Sequence, residues 1–507
     1  MRLGIRSATL FLLGCGIILI PCLVQGQVTR MKYAPKEIAL AEKAFKKFGC
    51  AFNRDKEKKD AITVLTFPDK TTDEDISRLS PMIRRLPALQ AIDLGNTRVG
   101  NGGVYEVCKY NTLRALYLDR TQLSDLAMSQ LGELKEIEWL DLSNTQITSE
   151  GLVQLGKLEN LRTLLLVNNS KITDQGLAKI DELLALTHLS LANVPVSIAQ
   201  APAMGQLQSL LTLDLSGTKT NDQGMKIIHA LRQLESLNLQ GAPVTLADTD
   251  LKLQRLRNLN LRGSLASDSG LIEIGKLFQL ENLHLDNTPI TDHGLSHLQN
   301  LKGLRVLSLT NTKITCSGVK ELAALERLET LQLSGSAVND EGLKSIARIP
   351  KLQTLILDGS PVTVDDVGDV VFLEKLTTLS LNSTKIKDPG FKELVKIASL
   401  KSLSLNNTSV SCENLKELAR FKKLETLSLI NTHVTDKGLK WLAAIRPLKT
   451  LILYDNKLTD VALKRLQKQM PRCQILYKRT AVVAGPPTPA VKPVRVPVLG
   501  GPVSPKP

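Results

Sequence analysis

Side chains able to do chemistry are sparse in this chain, and three groups of them invite a functional reading. His293 and His297 stand four residues apart, with Cys316 some twenty residues further on. Imidazole and thiolate are ligand types for a transition metal. No fourth ligand completes the pattern, so neither a metal nor any other cofactor is expected. A second group is rich in hydrogen-bonding side chains: His188, Asn258, Asn260, Arg262, Asn282 and His284. Such donors suit carbonyls or sugar hydroxyls, and His188, Asn260, Arg262 and His284 form a secondary candidate binding set. The third group combines aromatic and aliphatic side chains, Tyr117, Trp139, Leu165 and Val167, with Asp141 among them. Exposed together, residues of this kind anchor a protein partner. The chain contains no H-E-x-x-H, G-x-S-x-G, phosphate-binding loop or paired C-x-x-C, so no enzyme is expected.

The elements that must position these residues follow from a period. Leucine recurs at 256, 280, 304, 328, 352, 376, 400, 424 and 448, each time opening the same phrase, as in LENLHLDNTPITDHGLSHLQN from 280. Leucines at the first, fourth and sixth positions of each unit alternate with polar residues, the pattern of a half-buried strand. A ninth-position Thr, Ser or Asn follows (Thr97, Thr121, Thr145, Asn169, Thr288, Thr312), placed to satisfy backbone groups where the chain leaves the strand. Then comes I-T-D-x-G-L-x-x-L. Threonine or aspartate starts a short helix, the acid favours its N-terminal dipole, and the leucines face inward. Stacked, such units make a leucine-rich-repeat solenoid of the α/β class, with a curved parallel sheet on the concave face and short helices on the convex face. The third, fifth and seventh positions of the sixteen units from Leu89 face outward from the sheet. Of these 48 positions only seven are charged: Asp93, Asp119, Asp141, Asp214, Asp286, Asp358 and Arg262. The groove is therefore nearly neutral and mildly acidic. A second, more scattered apolar group, Ile356, Ile430, Ile452 and Tyr454, lies towards the C-terminus.

Four segments are expected. Residues 1–26 read as an export signal: Arg2 and Arg6 precede an apolar run from Ala8 to Val24, and Val24-Gln25-Gly26 suits cleavage before Gln27. If retained, the run of about 17 residues would instead be a short membrane anchor. Residues 27–61 form an N-terminal cap whose helix covers PKEIALAEKAFKKFG, followed by NRDKEKKD as a polar turn. Residues 62–477 are the solenoid, about 17 units and a terminal strand, opening on a degenerate 27-residue unit. Poorer helices are expected in the units from Leu186 and Leu234, where VPVSIAQAPAMG and Pro243 interrupt the pattern. Residues 478–507, with eight prolines, form a basic tail that should be extended rather than folded.

The net charge of +15 would suggest nucleic acid or membrane, but its location excludes the first. Residues 1–29 contribute +2, residues 30–60 contribute +5 and residues 478–507 contribute +5, leaving +3 for the solenoid. A basic groove for a phosphate backbone is absent from that distribution. Beyond the signal the cysteines are Cys50, Cys108, Cys316, Cys412 and Cys473, an odd number that does not suggest a disulfide framework. Cys316 and Cys412 occupy equivalent positions four units apart, roughly 19 Å at the spacing of parallel strands, too far to bridge.

At ITDQGL, ITDHGL, VNDEGL and VTDKGL the chain resembles the cysteine-containing class of leucine-rich repeats, in a form common in exported bacterial proteins, with threonine mostly replacing the cysteine. The resemblance covers about 62–477 and implies binding surfaces without catalytic residues. The expected function is an exported, non-enzymatic scaffold that binds a protein partner on the concave face; the alternative is a cell-envelope structural or glycan-binding protein, tethered through its signal segment or basic tail. An extracytoplasmic location follows from either, with no nucleic-acid partner, and a membrane only if the signal segment stays uncleaved.

Overall fold

The computed structural model describes residues 35–55, 61–178, 180–365, 368–386 and 388–477. The signal segment and the proline-rich tail lie outside the described residues. Among the described residues, eighteen of the nineteen strands run parallel in sequence order, each paired with the next, and most of their three-residue cores repeat at 24-residue register, as in Leu283↔Leu307 and Leu307↔Leu331. The fold is a leucine-rich-repeat solenoid. The fourth- and sixth-position leucines, such as Leu283 and Leu285, are fully buried and form one continuous core from Ala41 to Ile475. No unit buries its own apolar edge; its neighbours do so.

The first edge is closed by α1 (Pro35–Phe48) and by β1 (Ala51–Asp55), which pairs antiparallel with β2 (Ala61–Thr66). Phe45, at 0 % exposure, meets Phe67 edge-on at 6.1 Å. Here the structure corrects the sequence reading. Asn53, Arg54 and Asp55 belong to β1 rather than to a polar turn. Their polarity reflects an outermost strand, and Arg54 is tied back to Glu42 of α1 at 3.0 Å.

From β2 the sheet continues through β3 (Ala91–Asp93), β4 (Ala115–Tyr117), β5 (Trp139–Asp141) and β6 (Thr163–Leu165). Each chain leaves its strand at the eighth position with a positive φ: Asn96, Asn144, Asn287, Asn311 and Asn431 near +55°, and Gly217, Gly241, Gly263, Gly335 and Gly359 near +67°. Asparagine and glycine dominate this position because they adopt the left-handed conformation most readily. The ninth-position hydroxyls then accept the role expected of them. Thr288 Oγ1 donates to the Leu285 carbonyl at 2.6 Å, Thr312 to Leu309 and Thr384 to Leu381 alike. Asn169 reaches two carbonyls, Leu142 and Leu166.

The I-T-D-x-G-L phrase starts the helices as expected, with threonine at the N-cap, and it also does a second job. The Thr291 side chain makes no capping bond to its own helix; its backbone N–H and hydroxyl both donate to Asp268 of the preceding unit. Thr148 binds Asp125, Thr315 binds Asp292 and Thr459 binds Asp436 through the same two donors, and each of these hydroxyls also caps its own helix by accepting from Glu150, Ser317 or Ala462 N–H at 3.2 Å. The acid therefore links neighbouring units as well as lying in the first helical turn. The glycine answers to the same carboxylate: a Cβ on Gly318 would collide with Asp292 Oδ1 and come within 2.9 Å of the Asp292 Cα.

The poorer helices appear as expected. The unit from Leu186 has only 3₁₀ turns, Ile198–Gln200 and Pro202–Gln206, and the unit from Leu234 has no helix between the strands Ser236–Asn238 and Asn258–Asn260. A third such unit follows Leu352. It shares Pro-Val-Thr with the second, and its aspartate link binds two successive N–H groups, Thr363 and Val364, holding Val364 at φ +61°. Thr245 and Leu246 are held alike by Asp222.

Candidate functional site

The helix-free face of the sheet carries the outward residues, and its polar groups are mostly occupied. The three-residue strand ends at the fifth position, so the seventh-position N–H finds no strand partner and needs another acceptor. In the N-terminal half the fifth residue supplies it: Asp93 Oδ1 accepts from Gly95 N–H at 2.9 Å, Asp141 from Ser143 at 2.9 Å, Asp214 from Ser216 at 3.0 Å and Asn260 from Arg262 at 3.1 Å. In the C-terminal half the acceptor comes from the previous unit's seventh residue. Asp358 receives Asn382 N–H, Asn382 receives Asn406, and Asn406 receives Ile430, all at 2.8–2.9 Å. Much of the polar ladder is thus backbone support, a role that sequence alone did not reveal.

The N-terminal group is brought together. Register places Asp93, Tyr117, Asp141 and Leu165 side by side in one row across β3, β4, β5 and β6, while Trp139 stands opposite Ala115 and Thr163. The Tyr117 and Trp139 rings are in contact, 6.1 Å between centroids and tilted by 44°. Both are half-buried, as are Leu165 and Val167. The Trp139 indole Nε1 is enclosed yet has no hydrogen-bond partner. Burial beside these rings raises the Tyr117 hydroxyl to about 12, helped by the charges of Asp93 and Asp141.

Asp119, absent from the candidate set drawn from sequence, belongs to this cluster. It is 2 % exposed, ion-paired through Oδ2 with Arg120 Nη2 at 2.9 Å, and its Oδ1 has no hydrogen-bond donor. A Cβ on Gly95 would collide with Asp119 Oδ1 and lie 3.2 Å from Asp93 Oδ1, so the missing side chain lets the Asp119 carboxylate pack against the Gly95 backbone, close to that of Asp93. Asp93 and Asp141 are pushed up to about 6, chiefly by burial and further by the charge of Asp119. The signal in the sequence was a seventh-position Asp two residues after a fifth-position aromatic.

The central group is only partly gathered. Asn260 and His284 are direct neighbours in register, with Arg262 two residues beyond Asn260. His188 lies on the strand His188–Ser190, three strands before Asn258–Asn260, roughly 14 Å at the usual spacing. It pairs with the Thr187 hydroxyl at 2.8 Å and cannot join the other three. Burial lowers the pKa of both His188 and His284. Asn282 donates to Asn258 at 2.6 Å, so these two amides serve each other. Cys316 is engaged with Asn339 of the next unit at 2.8 Å. Ile356, in the scattered C-terminal group, is 8 % exposed.

One surface feature was missed altogether. Second-position residues alternate in charge along the leading edge of the sheet. Arg305 grips Glu329 with two nitrogens at 3.0 and 3.1 Å, Arg257 pairs with Glu281, and Arg114 with Glu138 at 2.9 Å. A groove of about 590 Å³ opens there, lined by Arg257, Phe278, Glu281, Arg305, Arg327 and Lys351. Exposed pairs of this kind stabilise by at most about 1 kcal/mol each.

The class of protein defined by this geometry is a repeat solenoid with a long, open sheet face. Within it, residues 285–476 match the family described as a leucine-rich repeat region. Among solved structures the chain is similar to the receptor in the TLR13–ssRNA13 complex, at 21% identity and TM-score 0.56, covering 82% of this chain and 61% of that one. It is also similar to a TDR receptor, at 16% identity and TM-score 0.50, covering 78% and 67%. An internalin (inlF) from Listeria monocytogenes aligns at 24% identity and TM-score 0.46, covering 64% of this chain and 82% of that one. These likenesses concern the fold. No curated relative matches the chain.

Proposed function

We propose that this protein is an exported, non-enzymatic recognition scaffold that binds a protein partner on the concave face of its solenoid, through Tyr117, Trp139, Leu165 and Val167 with Asp141 beside them. The observation that carries the reading is the contact between the Tyr117 and Trp139 rings on the helix-free face, half-buried and next to aliphatic neighbours. The chain has only two tryptophans and six tyrosines, and rigid aromatic anchors bury large area with little loss of side-chain freedom. Export rests on the segment 1–26, with 27–61 as cap, 62–477 as solenoid and 478–507 as tail. Six acids against one arginine on the outward positions disfavour a nucleic acid. Among the described residues no helix is long and apolar enough to cross a membrane. A second reading, a glycan of the cell envelope, is favoured only by the adjacent Asn260, Arg262 and His284.

Proximity labelling of the exported protein would supply a partner, and affinity measurements on variants would test the site. Removing a central aromatic anchor costs about 2 kcal/mol or more, so Trp139→Ala should weaken binding roughly thirtyfold. Its stability should fall by no more than about 1.5 kcal/mol, the usual worth of an aromatic pair. Unchanged affinity per folded molecule would move the site elsewhere, and loss confined to an Asn260→Ala, His284→Ala variant would favour the glycan reading.

A further inference from the structure

We infer that the N-terminal recognition surface is a site for a basic side chain, a guanidinium or ammonium group presented by the protein partner, received between the Asp93, Asp119 and Asp141 carboxylates and the faces of Tyr117 and Trp139. The inference rests on the proposed recognition role and specifies its chemistry. Three buried carboxylates share this corner of the sheet, at 4, 2 and 1 % exposure, and the cation that faces them is Arg120. That guanidinium is bound to Asp119 through a half-exposed side chain. The corner is short of positive charge, and the shortage is visible atom by atom. Asp119 Oδ1 lacks a donor although its residue is almost wholly enclosed. Asp93 is held only by Gly95 N–H and the Thr66 hydroxyl, and Asp141 only by the N–H and hydroxyl of Ser143. None of those donors carries charge.

The remaining wall is aromatic. A cation over a Tyr or Trp face gains from the ring quadrupole, and guanidinium also stacks on such faces. Register sets Tyr117 directly between Asp93 and Asp141, so a flat cation on the ring has a carboxylate on either side. Gly95, lacking a side chain, lets the Asp119 carboxylate approach that of Asp93 and concentrates negative charge there. The rest of the chain argues that the site is local. With a net charge of +15 the whole protein repels polycations, so attraction of one must come from a specific patch.

Titration adds a signature. The groups facing Asp93 are Asp119 and Asp141, and those facing Asp141 are Asp119 and Arg120. With Asp93 and Asp141 near 6, a cation binds the site better as pH rises through that value, because the carboxylates ionise. The test uses the full chain carrying Trp441→Phe, in which the emission of Trp139 reports alone. Hexa-arginine should change that emission saturably at pH 7.5, at least about tenfold more weakly at pH 5, and hexa-glutamine should not change it. Asp93→Asn with Asp141→Asn keeps an oxygen for the Gly95 and Ser143 N–H groups, so it should fold, as circular dichroism would check, and should weaken hexa-arginine at least about tenfold. Equal responses to the two peptides, or an affinity indifferent to the Asn substitutions, would overturn the inference. If a captured partner needs Trp139 but ignores the Asn substitutions, recognition stands and the basic residue is refuted. If hexa-arginine binds through the carboxylates while the partner ignores Trp139→Ala, the cation site stands and the recognition reading fails.

Discussion

The two buried aspartates should make the N-terminal part of the sheet less stable at neutral pH than at acid pH. Asp93 and Asp141 titrate near 6 in the folded protein, against roughly 3.9 for a free aspartate. Between those values the folded chain binds protons that the unfolded chain does not. Stability is therefore fully present below about pH 4 and is lost as pH rises through about 6. Raising either carboxyl that far corresponds to at most about 3 kcal/mol. In a solenoid each unit touches only its neighbours, so the loss appears as local opening of β3 to β6 rather than of the whole chain. The assay is amide hydrogen exchange, comparing wild type with Asp93→Asn, Asp141→Asn at matched pH. The Leu118 and Leu142 N–H groups, which bond to the Asp141 and Leu165 carbonyls, report on the affected strands. At pH 7.5 protection in the variant should rise by up to about 100-fold, the equivalent of about 3 kcal/mol, and near pH 4 it should approach wild type. Equal protection in both proteins at pH 7.5 would show that burial of these carboxylates costs nothing, and the argument for their unmet charge would go with it.

Other perturbations test the framework. Gly318→Ala forces a methyl group onto Asp292, and a loss of about 1–3 kcal/mol should appear as faster exchange in the two flanking units; an unchanged exchange pattern would mean that the acid link is slack. Thr312→Val removes the donor to the Leu309 carbonyl, and leaving that buried group unsatisfied should cost about 1–3 kcal/mol in chemical denaturation, whereas Thr312→Ser should cost far less. Deleting 478–507 should leave the thermal midpoint unchanged, because the core ends at Ile475 on the final strand Gln474–Leu476; a large fall would show the tail packing as a cap.

The period, the strands and the ninth-position ladder were legible because one residue type at one spacing can serve only one purpose there. Leucines repeating at the fourth and sixth positions must be buried together, and a hydroxyl three residues past the sixth position finds its carbonyl within its own unit. What sequence did not reveal depends on partners in a different unit. Asp292 reads as an N-terminal helical acid until its bonds to Thr315 are seen. The strand Ala51–Asp55 was hidden by its charge, because an outermost antiparallel strand need not alternate. The unit after Leu352 carries the same Pro-Val-Thr as the helix-free unit after Leu234, a local signal that its regular leucines mask. Of the candidate site, the aromatic and aliphatic residues were grouped from the outward positions, whereas Asp119, also outward, was not grouped with them. Its importance comes from the turn glycine beside it, Gly95, and from its own unmet Oδ1.

The two halves of the sheet also differ in what they can offer a partner. In the C-terminal half the polar side chains are consumed by one another. Asp358 accepts from Asn382 N–H, the Asn382 amide and the Ser380 hydroxyl; Asn382 accepts from Ser404 and Asn406; Asn406 accepts from Ser428 and Ile430. A ligand there would have to break bonds already made between units, and the net gain of exchanging one hydrogen bond for another is small. In the N-terminal half the fifth-position aspartates close turns within their own units through uncharged donors, with Arg120 the cation beside Asp141, next to a carboxylate whose Oδ1 lacks a donor. A cation brought to that corner would meet carboxylates whose hydrogen-bond donors, Arg120 apart, are uncharged. The same sheet thus supports itself at one end and leaves unmet valence at the other, and the aromatic pair stands at the end where the valence is unmet.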